Sequence, residues 1–496
     1  MKNKKIIQYG FYLLLAIATV SCKKDYLETA PSDQAPTELV FATTQGAYTA
    51  LNGVYRAHWM LYGDAGIDAN FAQKACDMTA DLMGNDVTIH TYGYGWFTPE
   101  YQYTAQASVT ATGRPYFVWS YYYFLISSAN NIIANIDAAA GPQEDKDNIK
   151  GQALAVRANS YFNLVNFFQH TYKGNENKPG VPLYTAPTTE GGPRGTVQQV
   201  YTQIISDLTQ AETLLTGKIR QHMSHINVNT TQGIRARVAL QMEDYPTAAA
   251  YANKARQGYT LMSTAQYQGG FSSVSNPEWI WGMQINNEQS TTLFSFWSHI
   301  DASVYGYAQA GNMQKKITRQ LYDQIPAGDV RKTVFRAPGT GTSTNPDYNQ
   351  NKFRVPDPST FDGDYVFMRA GEMYLIEAEA LARQGAGQEA AAKTVLEAMV
   401  KARYPAYTTT GLTGAALITE ILLQRRIELW GEGFSLLDIK RLKTGLNRPT
   451  GAGNHGGTNF NPNVTTLPDQ DPKFLMKIPQ SEIDANDAMT IADQNP

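Results

Sequence analysis

The stretch Phe367-Met368-Arg369-Ala370-Gly371-Glu372-Met373-Tyr374-Leu375-Ile376-Glu377-Ala378-Glu379-Ala380-Leu381-Ala382-Arg383 decides how this chain is read. Residues 372–384 read as one helix, Gly385-Ala386-Gly387 as a tight turn, and 388–403 as a second helix. Working outward, residues 226–258 repeat the pattern. Asp244-Tyr245-Pro246 is the turn, and Leu240, Tyr245, Ala248, Tyr251, Ala252 and Ala255 fall on the inner faces. A helical hairpin of this kind buries its apolar face only by stacking on a neighbour.

More helices follow the same logic. Residues 37–60 place Leu39, Ala47, Ala50, Leu51, Val54 and Tyr55 in rough helical spacing. Residues 118–137 are long and apolar, and 150–169 repeat Leu154, Ala158, Tyr161, Val165 and Phe168 every three or four positions. Thr196 reads as the N-cap of a helix over 196–215. Between these lie segments with little periodicity. Residues 63–115 read as mostly loop, 258–364 as mostly irregular with a short strand at 278–284, and 338–358 and 448–471 as polar loops. The expected fold is mainly α. It consists of tetratricopeptide-like helical hairpins, separated by long irregular loops and a few short strands rather than joined in a continuous solenoid.

The N-terminus is of another kind. Lys2, Lys4 and Lys5 precede an apolar run from about Phe11 to Val20, which is too short to span a bilayer. The run ends at Ala18-Thr19-Val20-Ser21-Cys22, the pattern of a signal peptide cleaved before a lipidated cysteine. Thr19 stands where leucine is usual. Several acyl chains on Cys22 would anchor stably, each buried methylene contributing about 0.8 kcal/mol. Lys23-Lys24-Asp25 then resemble an export signal to the outer leaflet in the Bacteroidetes. The expected organisation is a signal peptide at 1–21, a lipidated tether at 22–36, and one domain at 37–496 with halves at about 37–260 and 261–496.

Composition narrows the function. Loss of the three signal-peptide lysines leaves 38 of the 41 basic residues against 44 acidic ones, a net charge near −6, with no basic patch to suggest nucleic acid. With Cys22 acylated, Cys76 has no partner in the chain, so neither a disulfide framework nor a cysteine metal site is expected. His222-x-x-His225 lacks further zinc ligands. Asp357, Asp362 and Asp364 do not follow the calcium-loop spacing. GxSxG, HExxH and phosphate-binding glycine loops are missing, so neither a catalytic motif nor a cofactor is expected. A facing pair of carboxylates, as a glycosidase uses, leaves no mark in sequence.

Three ordered motifs then converge. They are residues 367–383; Arg425-Arg426-Ile427-Glu428-Leu429-Trp430-Gly431-Glu432-Gly433-Phe434 with Asp438-Ile439-Lys440-Arg441; and the tail Phe474-Leu475-Met476-Lys477-Ile478-Pro479-Gln480-Ser481-Glu482-Ile483-Asp484-Ala485-Asn486. Together with 153–168 and 196–215, they make the chain resemble the SusD/RagB proteins. It departs from them at Gln424, where an acid often stands, and at Leu436-Leu437, where aromatics are frequent.

The resemblance implies a SusD-like α/α superhelix and an outer-membrane lipoprotein facing outward. It also implies a SusC-like, TonB-dependent transporter as partner, and capture of oligosaccharides without catalysis. Peptide cargo, known in some members, is the alternative; a protein-interaction scaffold is another. Arg425 and Arg426 are expected to form scaffold ion pairs, with Glu372, Glu377 and Glu379 as possible partners.

Sugars offer apolar C–H faces and many hydroxyls, which suit aromatic rings and amide or carboxylate side chains respectively. Two loops carry that mixture. Residues 81–103 contain Asn85, Asp86, Tyr92, Tyr94, Trp96, Phe97, Tyr101 and Tyr103; residues 286–307 contain Asn287, Phe296, Trp297, Asp301, Tyr305 and Tyr307. The candidate ligand contacts are Trp96, Trp297, Tyr94, Phe97, Asn85, Phe296 and Tyr305, on one shallow face formed by the two loops.

Substituting Cys22→Ala is expected to remove incorporated radiolabelled palmitate and to shift the chain from the membrane fraction to the soluble one.

Overall fold

Short polar side chains set the helix starts, by taking up N–H groups that a first turn leaves free. The computed structural model describes residues 37–60, 62–63 and 67–496; Cys22 and the tether lie outside the described residues. Helix α1 (Thr44–Arg56) begins at Thr43, whose Oγ1 accepts from the Gly46 amide at 3.2 Å. The expected helix over 37–60 is therefore broken. Thr37–Val40 forms a separate turn, and Thr43 bridges to Ala140.

Helix α2 (Ala72–Leu82) and strand β1 (Val87–Ile89) lie in the stretch read as loop. Of the α2 residues only Asp77 is not fully buried. A helix buried all round shows no amphipathic period. Its polar groups are answered inside the protein: Gln73 donates to Asp77 at 2.9 Å, and Asp81 accepts from the amides of Gly433 at 2.8 Å and Ser435 at 3.1 Å.

The helical stack then builds in chain order. Helices α3 (Arg114–Asn135) and α4 (Gln143–Phe168) pack together. Strands β2 (Pro179–Pro182) and β3 (Arg194–Thr196) lead to α5 (Val197–Leu215), which packs on α4. Thr196 caps α5 as expected, in a reciprocal box with Gln199. Helices α6 (Val228–Gln241) and α7 (Tyr245–Ala255) form the expected hairpin, with Asn227 and Asp244 as caps and Glu243 in the left-handed region at φ 61°. Buried Ala248, Ala249, Ala252 and Ala255 give α7 a small-residue face, which lets its neighbours approach closely.

Residues 256–369 leave this stack and return to it. Strand β4 (Trp279–Met283) stands near the exit. Strand β5 (Lys315–Ile317) pairs antiparallel with β1. Strand β6 (Tyr365–Arg369) closes the excursion by pairing antiparallel with β4, Trp279 opposite Arg369. Helix α8 (Ala370–Arg383) thus starts three residues after Phe367; the quoted stretch is a buried strand followed by a helix. All five β6 residues are buried, so the strand has no polar alternation to betray it.

Helix α8 packs directly on α7, and α9 (Glu389–Lys401) and α10 (Gly414–Glu428) pack on α8. The hairpins are interrupted in the chain but contiguous in space. Helix α11 (Ser435–Leu442) contacts α2. One apolar core runs from Ala47 to Met489. A smaller one, around Leu375, Leu396, Leu417 and Ile421, lies between α8, α9 and α10.

A buried ion network fastens the excursion to the helices. Arg369 donates to Glu278 at 2.8 Å, to Glu428 at 2.5 Å and to Glu432 at 2.7 and 2.8 Å. Arg403 donates to Glu278 at 2.7 Å and Glu428 at 3.0 Å. Arg331 pairs with Asp329 at 2.6 Å and reaches Glu428, and Lys352 donates to Glu432 at 2.6 Å. Four cations thus meet four carboxylates, all shielded from solvent.

The motif arginines are scaffold residues, with different partners from those expected. Arg426 grips Asp86 with two bonds at 2.6 and 2.8 Å, and Arg425 holds Asp438 at 2.7 Å. Glu372 pairs with Arg237, Glu377 with Arg256, and Glu379 with Arg441 and Arg383.

Removing one partner from such a network leaves an uncompensated buried charge, so Arg369→Met is expected to lower unfolding free energy by about 3–5 kcal/mol in urea titrations. Burial acts to raise the pKa of Glu432, but Arg369 and Lys352 outweigh it and hold the carboxyl at about 2. Its stabilisation is therefore complete above an ordinary carboxyl value of roughly 4.3 and is lost as pH falls from there through about 2. Glu432→Gln, weaker at pH near 5, should show a shallower acid decline than the parent.

Candidate functional site

Strand β1 carries the first aromatic loop to the second. Its partner β5 follows the second loop in sequence, and the β1–β5 pairing sets the two side by side. Beyond β1, Thr91 Oγ1 donates to the Asn312 carbonyl at 2.8 Å.

At the junction stands Tyr307. Its ring lies edge-on to Tyr94 at 5.6 Å and to Trp96 at 6.0 Å between centroids. Its hydroxyl donates to the Asp68 carboxylate. Beneath it, the His299 ring packs at 4.8 Å and rests in turn on Phe71 at 5.1 Å and Phe97 at 5.4 Å. Burial holds His299 well below its ordinary pKa, with Lys315 adding to the effect. It is therefore a neutral ring, and its Nε2–H donates to the Asp68 carbonyl at 3.2 Å. Asp68 thus orients both rings, one through its side chain and one through its backbone.

The result is an aromatic platform on a rigid base. Tyr94 is 61% exposed, Tyr305 79% and Tyr92 58%, while Trp96 and Tyr307 are half-buried. Exposed rings beside half-buried ones provide stacking faces whose positions are fixed from below. Burial shifts the Asp68 carboxyl upward.

The structure divides the seven expected contacts. Tyr94 and Trp96 border solvent where the two loops meet at Tyr307, and Tyr305 is exposed on the second loop. Trp297, Phe296 and Phe97 are withdrawn into the core at 1%, 3% and 2% exposure. Trp297 donates its indole N–H to the Gly363 carbonyl at 2.6 Å, Phe296 sits edge-on to Phe353 and Tyr365, and Phe97 lies under the Arg114 guanidinium. Large rings in a loop without periodicity give no sign of which way they face. These three anchor the loop inward and leave no face for a ligand.

Asn85 belongs elsewhere. Its Oδ1 accepts from the Asn447 amide at 2.9 Å, and it borders a separate cavity of about 430 Å³ beside α10 and α11. Tyr101 and Tyr103 are likewise core residues under Arg448. Asp68, by contrast, was legible only as one more polar loop residue.

The other polar candidates are committed to structure. His225 meets Tyr48 at 3.1 Å through Nδ1 and Asn52 at 3.0 Å through Nε2. Asp364 accepts from the amides of Val274 and Ile285, both at 2.8 Å.

Comparison with known proteins agrees with this architecture. A family model described as starch-binding and associating with the outer membrane matches residues 65–240, and a SusD family model matches 307–496. The chain belongs to the SusD/RagB family. It is 23% identical over 502 residues to a SusD-like protein from Formosa agariphila, covering 89% of this chain and 92% of that one. It is also similar to the crystal structure of a SusD-like carbohydrate binding protein from Bacteroides vulgatus. The TM-score is 0.80 and the identity 29%, over 92% of this chain and 98% of that one. A SusD superfamily protein from Bacteroides thetaiotaomicron gives a TM-score of 0.76 at 25% identity, over 92% and 100% of the respective chains. The mainly helical SusD-like fold expected from the motifs is the fold observed. Among the described residues, no helix is long and apolar enough to cross a membrane.

The division between platform and core has a thermodynamic signature. Trp297→Ala is expected to cost about 3–5 kcal/mol of stability through the cavity it leaves. Tyr305→Ala should change it by no more than about 0.5 kcal/mol in the same denaturation experiment.

Proposed function

We propose that this protein is a cell-surface lipoprotein that captures oligosaccharides and passes them to a SusC-like, TonB-dependent outer-membrane transporter. The observation that carries the reading is the platform of Tyr94, Trp96 and Tyr307, built from two loops far apart in sequence and braced by Asp68 and His299. Flat rings held at fixed angles suit pyranose faces, and the binding energy then comes from stacking and hydrogen bonds without a reacting group. Family membership supports a binding role, and the carbohydrate-binding name of the Bacteroides vulgatus relative points the same way. The protein acts as a receptor, not an enzyme.

The remaining parts of the reading rest on sequence. Cys22 carries the lipid, residues 22–36 form the tether, and residues 37–496 work as one unit. The core that runs from Ala47 to Met489 supports the last point. The chain faces outward, so that its platform meets glycans before the transporter does.

Calorimetry against a glycan panel tests the platform. For any glycan bound by the parent, Trp96→Ala and Tyr94→Ala should each weaken affinity by roughly 3–10-fold, the equivalent of about 0.5–1.5 kcal/mol per aromatic contact. Parent-like affinity in both variants would remove the platform from the binding site. A panel in which peptides bind and glycans do not would assign peptide cargo instead.

A further inference from the structure

A second cleft, sharing no lining residue with the platform, has its own chemistry. It lies between α3, the loop at 184–191 and the short C-terminal helix Gln480–Ala485, and holds about 370 Å³. That volume is in the usual range for small-molecule sites, roughly 300–1,000 Å³.

Two half-buried rings, Tyr123 and Tyr184, form its wall, with the buried Trp119 packed against Tyr123. Trp119 lies 4.9 Å from Tyr123, and Tyr123 lies 5.7 Å from Tyr184. Each is fixed by a polar bond. The Trp119 indole N–H donates to Glu482 at 3.2 Å, the Tyr123 hydroxyl donates to the Pro182 carbonyl at 2.8 Å, and the Tyr184 hydroxyl accepts from the Gly192 amide at 2.9 Å.

The charge is one-sided. Glu482 and the exposed Glu190 line the cleft, and no Lys, Arg or His does. The nearest arginines are committed behind the wall. Arg157 is paired with Asp207 and bonded to Asn130 and the Thr185 carbonyl; Arg194 donates to the carbonyls of Gly180, Pro179 and Asp493. Serine and threonine hydroxyls complete the rim.

Aromatic faces and carboxylates, with no base among the lining residues, attract a cation and disfavour an anion, by ring quadrupole and by charge. The hydroxyl rim adds partners for a polyol. We propose that this cleft binds a sugar-sized ligand carrying a protonated amine, an amino sugar. The inference stands independently of the platform and its cargo.

The test is calorimetry of the full chain in detergent at about pH 6, where an aliphatic amine next to an electron-withdrawing carbon is still protonated. Glucosamine, N-acetylglucosamine, glucose and Nα-acetyl-lysine amide are the probes. Glucosamine should bind at least about fivefold more tightly than the other three. Both Glu190→Gln and Glu482→Gln should weaken glucosamine binding several-fold. Because Glu482 also anchors Trp119, Glu190→Gln is the variant that decides if Glu482→Gln misfolds. Equal affinity for N-acetylglucosamine or glucose, or unchanged affinity in Glu190→Gln, would overturn the charge argument. A lysine derivative that binds as tightly as glucosamine would overturn the sugar assignment.

Discussion

The rest of the structure depends on the buried network around Arg369 and Glu428. Arg369 ends β6 and directly precedes α8, while Glu428 closes α10. Glu278, Arg331 and Lys352 come from the excursion, and Arg403 follows α9. The equal count of cations and carboxylates makes it tolerable in the interior. An isolated ion there would cost several kcal/mol, whereas each charge here has at least one partner. Burial and charge pull against each other in Glu428 as in Glu432, and in both the surrounding cations win and keep the carboxyl ionised. Through this network a hundred-residue excursion is returned to the place where α7 and α8 can touch.

That return also assembles the aromatic platform. The excursion supplies His299 and Tyr307, and the N-terminal half supplies Asp68, Tyr94 and Trp96. The stack of Phe71, Phe97, His299 and Tyr307 passes from core to surface without a gap. For the proposed binding role, such bracing means that little conformational freedom is lost on binding, which is how preorganisation raises affinity. The same rings on a mobile loop would have to be ordered at the moment of binding.

Much of the scaffold was legible in sequence because it obeys local rules. Thr196 as a cap, the Asp244-Tyr245-Pro246 turn, and the small-residue face of Ala248, Ala252 and Ala255 are signals that nearest neighbours enforce. The failures share a cause. Helix α2 was hidden because it is buried on every side, with Gln73, Lys74 and Asp81 satisfied by partners inside the fold. Strand β6 was hidden because all its residues are apolar or paired. Arg425 and Arg426 were correctly placed in the scaffold, but Asp438 and Asp86 hold them, not the α8 acids, since ion pairing follows distance in space.

The sequence by itself determined the helical hairpins, the family motifs and the pattern expected of an exported, lipid-bearing chain, all of which are written in short-range spacing. It also located two aromatic loops. Only the tertiary structure decided which of their rings face solvent. Trp96 and Trp297 are the same residue type in similar loop contexts, yet one borders solvent and the other fills the core against Gly363. The difference lies in which backbone meets which across hundreds of residues, here β1 against β5 and β4 against β6. No local pattern encodes the direction in which an irregular loop turns its side chains; the packing that surrounds it does.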